Sequence, residues 1–139
     1  MSRAANIFLF MFAAQCALAS GPATPDGWDG SFDAVLPNGQ QCCLPADLNG
    51  TGLAGGAFVL VSTDKRNFGV FALTYIPPLQ EHWQLLERHS ISQLSGYKVS
   101  VQAPGLHPFA HIRVCDPSAP CRLYFTSSAQ DELRQSNER

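Results

Sequence analysis

Between Ala57 and Ile76 the chain reads AFVLVSTDKRNFGVFALTYI, two apolar runs rich in β-branched and aromatic residues on either side of the polar stretch Asp64-Lys65-Arg66-Asn67. Compact runs of this kind, bounded by polar turn residues, read as strands, and a pair of them across a few polar residues reads as a β-hairpin. Pro77-Pro78 closes the second run, because proline has no N–H to give to a ladder.

The same logic extends downstream. HWQLLERH, from His82 to His89, fits a short strand or a helical turn, and its length favours the strand. In YKVSVQ, Tyr97, Val99 and Val101 alternate with Lys98, Ser100 and Gln102, the period of two that puts apolar residues on one face and polar ones in water. HIRVC and RLYFT add strands on either side of a cysteine-bounded turn. Only the tail, AQDELRQSNER from Ala129, looks helical or frayed, and its shortage of apolar residues argues against packing in a core.

These readings give a mainly β fold, with a β-rich α+β arrangement as the open variant: one domain of six or seven antiparallel strands joined by hairpins, with little helix. No fixed-period repeat and no alternation of strand and helix is visible, which excludes solenoids and dinucleotide folds. The β domain is expected over residues 40–127, after an irregular Gly-, Pro- and Asp-rich segment over 20–39 with a short strand from Phe32 to Leu36, and before a polar tail over 128–139.

The first residues have the pattern of an export signal. Arg3 supplies one positive charge, IFLFMFAA a short apolar core, and Ala17 and Ala19 flank Leu18 as at a cleavage site after Ala19. The core is shorter than the roughly 20 apolar residues of a membrane span. Cys16 raises lipidation, but Gln15 is not the small residue which that modification wants before its cysteine. Residues 1–19 are therefore expected to be a signal peptide, the mature chain to be periplasmic or secreted, and no stable membrane insertion to persist after cleavage. The chain carries a net charge of −2 and no basic stripe, so nucleic acid is not an expected partner.

Of the five cysteines, Cys42, Cys43, Cys115 and Cys121 follow the signal. An even number in an exported chain points to disulfides. The prolines and small residues of CDPSAPC favour a turn that joins Cys115 to Cys121; pairing across to Cys42 and Cys43 is the alternative. Neither a CxxC spacing nor a nearby His pair supports zinc.

Before the hairpin lies DLNGTG, from Asp47 to Gly52. Asp47, Asn49 and Thr51 occupy the alternate positions at which a calcium loop places its oxygens, and Gly52 takes the place of the turn glycine. The run from Leu53 to Leu60 then offers no side-chain oxygen, and the same residues are sufficient for a turn without metal. ADLNGTG running into AFVLVS and FGVFALTY resembles the aspartate-rich loop and following hairpin of VCBS and FG-GAP-type repeats, over roughly Cys43 to Val101, and in particular small exported proteobacterial proteins with one degenerate unit. Some periplasmic proteins of that architecture are immunity or inhibitor proteins against secreted cell-wall-degrading toxins, so the resemblance implies a protein partner. Thr51 and Gly55 stand where acids are typical, which weakens the implied calcium site; no other cofactor is expected.

Asp26, Asp29 and Asp33 form a second acidic group, at irregular spacing, open to completing such a site in three dimensions or to serving as solvated turn residues, and Asn49-Gly50-Thr51 is a glycosylation sequon. No catalytic motif stands out. His82, His89, His107 and His111 form no HExxH, there is no GxSxG elbow, and Glu81 and Glu87 are nearly alone among the strands as a carboxylate pair for hydrolysis. Trp28, Trp83, Tyr75 and Phe71 are aromatic candidates for a core or a binding patch, and Trp28, in a Gly- and Asp-rich stretch, is the candidate partner contact. The expected function is a non-enzymatic binding protein, with a calcium-stabilised structural module as the rival and a hydrolase behind it.

Overall fold

The computed structural model describes residues 24–29, 36 and 38–137. The expected signal peptide, Cys16, Asp33 and all of the expected short strand except Leu36 lie outside them. Among the described residues eight strands run in chain order: β1 Cys43–Ala46, β2 Gly55–Val61, β3 Asn67–Ile76, β4 Gln80–Ser90, β5 Lys98–Gln102, β6 His111–Asp116, β7 Ala119–Phe125 and β8 Arg134–Asn137, with a 3₁₀ helix, Ile91–Gly96, between β4 and β5. Strand makes up 53% and helix 6%, which settles the class as mainly β rather than α+β. The strands form two antiparallel sheets in sequence order, β1-β2-β3-β4 and β5-β6-β7-β8.

The hairpin that anchors the sequence reading is β2–β3, in register from Gly56 opposite Leu73 to Val61 opposite Phe68. Its runs are continuous rather than alternating because both faces are covered. On the inner face Ala57, Val59, Phe68, Val70 and Ala72 pack with Val99, Ile112, Val114 and Tyr124 of the second sheet. On the outer face Phe58, Leu60, Phe71 and Leu73 form a second apolar cluster with Trp28, Cys43 and Trp83 against it. Phe68, Val70 and Ile112 are fully buried, and burying a side chain of that size stabilises by about 2 kcal/mol.

Strand β4 carries a bulge. Val70 pairs with Glu87 but Phe71 pairs with Leu85, so Leu86 is the extra residue. In a regular strand Glu87 would share a face with Leu85. The extra residue turns it inward instead, opposite buried Val70, and bulges commonly re-aim a side chain in this way.

The tail differs from its expected state. Arg134–Asn137 is a strand that pairs with β7, from Phe125 opposite Arg134 to Arg122 opposite Asn137. Leu133, the one large apolar residue of the tail, is buried in the main core and fixes where the strand begins. Two glutamines tie down the sheet margins. Gln84 donates to Leu133 O and accepts from Leu133 N, and Gln40 does the same at Val99 on edge strand β5. Backbone groups otherwise open to a stray strand are thereby paired.

The cysteines form Cys115–Cys121, bridging β6 to β7, and Cys42–Cys43, joining adjacent residues at the start of β1. The cross-pairing alternative fails because the two pairs belong to different sheets, with Cys43 on the outer apolar cluster of the first. Disulfides fit an oxidising, extracytoplasmic environment. No helix among the described residues is long and apolar enough to cross a membrane.

Candidate functional site

Antiparallel connectivity gathers four loops at one end of the two sheets: 47–54, 77–79, 103–110 and 126–133. Contacts between them confirm the gathering. Asn49 Nδ2 donates to Tyr75 O at 3.1 Å and to Ala129 O at 3.0 Å, and the ring of Phe109 lies so close over Gly50 that a side chain there would collide with it. Gly50 also has φ +80°, which favours glycine a second time.

The loop that resembles a calcium site is organised as a turn. Asp47 Oδ1 accepts from the backbone N–H of Gly50 at 2.9 Å and of Thr51 at 3.1 Å, and Oδ2 accepts from Gly52 at 2.7 Å. Leu53 N–H donates to Thr51 Oγ1 at 3.3 Å. Asn49 points inward, 1% exposed. The three sequence-derived ligand candidates therefore share one loop, but Asp47 faces backbone donors and Asn49 faces the protein interior. A cation at Asp47 would have to displace three N–H bonds. Asp29 lies at the opposite end of the sheet, where it pairs with Lys65 of the β2–β3 turn at 3.1 Å, so it does not join Asp47. Among the described residues no three His, Cys, Asp or Glu side chains converge to hold a metal. The sequon nitrogen of Asn49 is the donor of both buried bonds, so a glycan there would deny the fold its strut.

Beside this loop is a groove of about 490 Å³ lined by Thr51, Leu53, Tyr75, Pro77, Pro78 and Leu79, with Gly50 and Ala129 at its edge. The peptide bond between Pro77 and Pro78 is cis. Burial pushes the Tyr75 hydroxyl pKa upward, and the nearby Glu81 carboxylate adds to the rise. Large exposed apolar side chains stand on the loops of this end: Leu53 is 37% exposed and Leu79 66%, both in the groove lining, and Leu106 on loop 103–110 is fully exposed. The fourth such residue, Leu85, is on β4. The sequence reading found Tyr75 but not the three leucines, whose signal was only that large apolar residues stood inside turns.

The aromatic candidates divide. Trp28 is half-buried, edge-on to Phe71 at 5.0 Å with the Arg88 guanidinium over it at 5.6 Å. Gly69 makes room for it, since a side chain there would meet the Trp28 ring. Phe71 and Trp83 belong to the same outer cluster. Trp28 thus covers the first sheet with its own ring and stands apart from the loop end.

A second group of charged residues joins the sheets through their interior. Glu87 receives Arg122 Nε and Nη2, each at 2.7 Å, Tyr124 Oη at 2.6 Å, and pairs with His89 Nε2 at 2.8 Å. Arg122 Nη1 also donates to Asp116 Oδ2 at 2.8 Å, and Tyr97 Oη meets His89 Nδ1 at 3.2 Å. Burial pushes the Glu87 carboxyl up, but the bonds from Arg122, Tyr124 and His89 outweigh it and hold the pKa below its ordinary value. Asp116 is held at about 2 by the hydroxyl and N–H of Ser118, with Arg122 adding to them. Burial, then the Glu87 bond, raises the Tyr124 hydroxyl. Each oxygen of Glu87 already has two partners, which leaves no lone pair free to act as a base. The group is a clamp between sheets.

His82 pairs with Glu132 at 2.6 Å, while His107 stacks on Phe125 at 4.0 Å and meets His111 edge-on at 4.9 Å. Comparison with family models, with curated proteins and with solved structures finds no match for this chain.

Proposed function

We propose that the protein is an exported, non-enzymatic binding module, periplasmic or secreted, whose partner is another protein docked on the four-loop end. The observation that carries this reading is that Leu53 and Leu79 line the groove while exposed to solvent, with Leu106 exposed on another loop of the same end. Loops hold binding residues on a rigid scaffold, and exposed apolar side chains grouped on one surface mark interaction sites.

The arrangement of carboxylates supports binding over hydrolysis. Glu81 and Glu87 lie on one strand, six residues apart, which at roughly 3.3 Å per residue is about 20 Å. Glycosidase pairs stand roughly 5–10 Å apart. Glu87 is moreover committed to the interior clamp.

A toxin that attacks the cell wall is the sharpest partner this reading admits, and the test does not presuppose it. The oxidised protein and its Leu79→Asp variant are each used to capture proteins from an envelope extract of the source cell. A protein retained by the wild type and lost by the variant is expected. Identical captures, or none, would overturn the reading.

A further inference from the structure

We infer that the loop end selects a cationic partner segment, one in which large apolar side chains are flanked by lysine or arginine. This rests on the binding reading above and adds the chemistry of the occupant.

The argument is one of charge around an apolar anchor site. Four acids lie on the segments that contribute the groove's lining or continue from it. Asp47 holds the turn that supplies Thr51 to the wall, and Glu81 sits opposite Tyr75 across the β3–β4 pair. Asp131 and Glu132, both exposed, follow Ala129, a groove-lining residue, in loop 126–133. Most lysines and arginines are placed elsewhere: Lys65 and Arg66 in the β2–β3 turn and Arg88 near the end of β4 lie toward the far end of the first sheet, and Arg122 is locked in the clamp, while at the rim itself His82 pairs with Glu132 at 2.6 Å. Arg134, at the start of β8, stands next to the loop end, and its guanidinium lies over the Phe125 ring at 5.5 Å. A fully acidic membrane surface would be repelled by such a rim, whereas a cationic segment gains on approach and keeps its apolar side chains for the groove. Rim charges act mainly on encounter and selectivity, and the leucines on residence.

The test titrates the oxidised protein with a synthetic peptide of leucines alternating with lysines, and with the same peptide carrying glutamates in place of the lysines. The lysine peptide is expected to bind about tenfold more tightly at low salt, with the difference closing as salt screens the rim. Glu81→Lys with Glu132→Lys should reverse the preference, and Leu79→Asp should remove binding of both while the far-ultraviolet circular dichroism stays unchanged. Vesicles of phosphatidylglycerol and of phosphatidylcholine serve as a further probe, and no binding to either is expected. Equal affinity for the two peptides, no binding of the lysine peptide, or capture by phosphatidylglycerol vesicles would overturn the inference. Equal peptide affinities alongside an envelope protein lost on Leu79→Asp would sink the cationic selectivity alone; loss of no envelope protein would sink the binding reading itself.

Discussion

Replacing Asn49 tests whether the loop end is held by one buried strut. Its side chain is 1% exposed, and its amide nitrogen donates to carbonyls of two segments distant in sequence, Tyr75 and Ala129. Asn49→Ala removes both bonds, each worth about 1 kcal/mol net, and leaves two buried carbonyls short of a donor, so a loss of about 3 kcal/mol is expected. Asn49→Asp is more informative. Protonated, the new carboxyl can donate to one of the two carbonyls and should cost about 1 kcal/mol; ionised, it faces two carbonyl oxygens with only the long Thr51 hydroxyl contact as a donor, and should cost about 4 kcal/mol. The folded-state pKa of this carboxyl is thus raised by about two units above the unfolded value of roughly 3.9. Raised means that the favourable contribution is complete below about pH 4 and is lost as pH climbs through the folded value near 6. Urea denaturation of wild type, Asn49→Ala and Asn49→Asp at pH 4 and pH 8 reads these losses as midpoint shifts at constant slope. A loss below about 1 kcal/mol in Asn49→Ala, or an Asn49→Asp deficit that does not change with pH, would refute the strut.

Arg122→Met should cost about 3 kcal/mol, because it leaves Glu87 ionised with a side chain only 7% exposed, and pairing it with Glu87→Leu should recover much of that loss in a double-mutant cycle. Glu87 and Asp116 both have lowered folded pKa values, so the stability they contribute is complete above the ordinary carboxylate range and drains as pH falls from about 4.5 toward 2; melting temperatures across that window should fall less steeply in Arg122→Met. Asp47→Ala gives up three backbone N–H bonds on an outer loop and should cost about 1 kcal/mol, equally in chelator and in calcium; a calcium-dependent rise in the wild-type melting temperature that disappears in the variant would overturn this. Alkylation of the folded protein without reductant should label none of Cys42, Cys43, Cys115 or Cys121, and Cys115→Ala with Cys121→Ala should cost about 2 kcal/mol, the loop-closure value for a separation of six residues.

Much of the fold was legible because it rests on local signals. The β2–β3 hairpin announces itself by two apolar runs and a charged turn, and β5 by its alternation, since one face of that strand meets the core and the other meets water. β8 carried no such signal. Its strand state is decided by β7, and the one local hint was Leu133, a single apolar residue before a polar run. The bulge in β4 left no trace in the sequence, because Leu85 and Leu86 fall on opposite faces of a regular strand as well, and only the pairing with β3 shows that Glu87 has changed sides. The adjacent-cysteine disulfide was out of reach because the choice between pairings depended on which sheet each cysteine would join.

DLNGTG shows why the site was harder to read than the fold. An aspartate followed by glycines at short spacing is what a calcium loop needs to wrap a cation, and equally what a turn needs when the carboxylate itself collects the backbone N–H groups. Both readings predict the same six letters. They part only in what the Asn49 amide nitrogen faces, and its acceptors stand 26 and 80 residues away. Leu53, Leu79 and Leu106 are likewise separate in sequence, each an unremarked apolar residue in a polar turn, and antiparallel pairing alone brings their loops to one end. The same pairing carries Glu81 and Glu132 there and leaves Lys65 and Arg66 at the other. A surface with apolar anchors and an acidic rim is therefore a product of strand order, and the substitutions that test it are those that change the rim or the anchors while leaving Asn49 and the clamp intact.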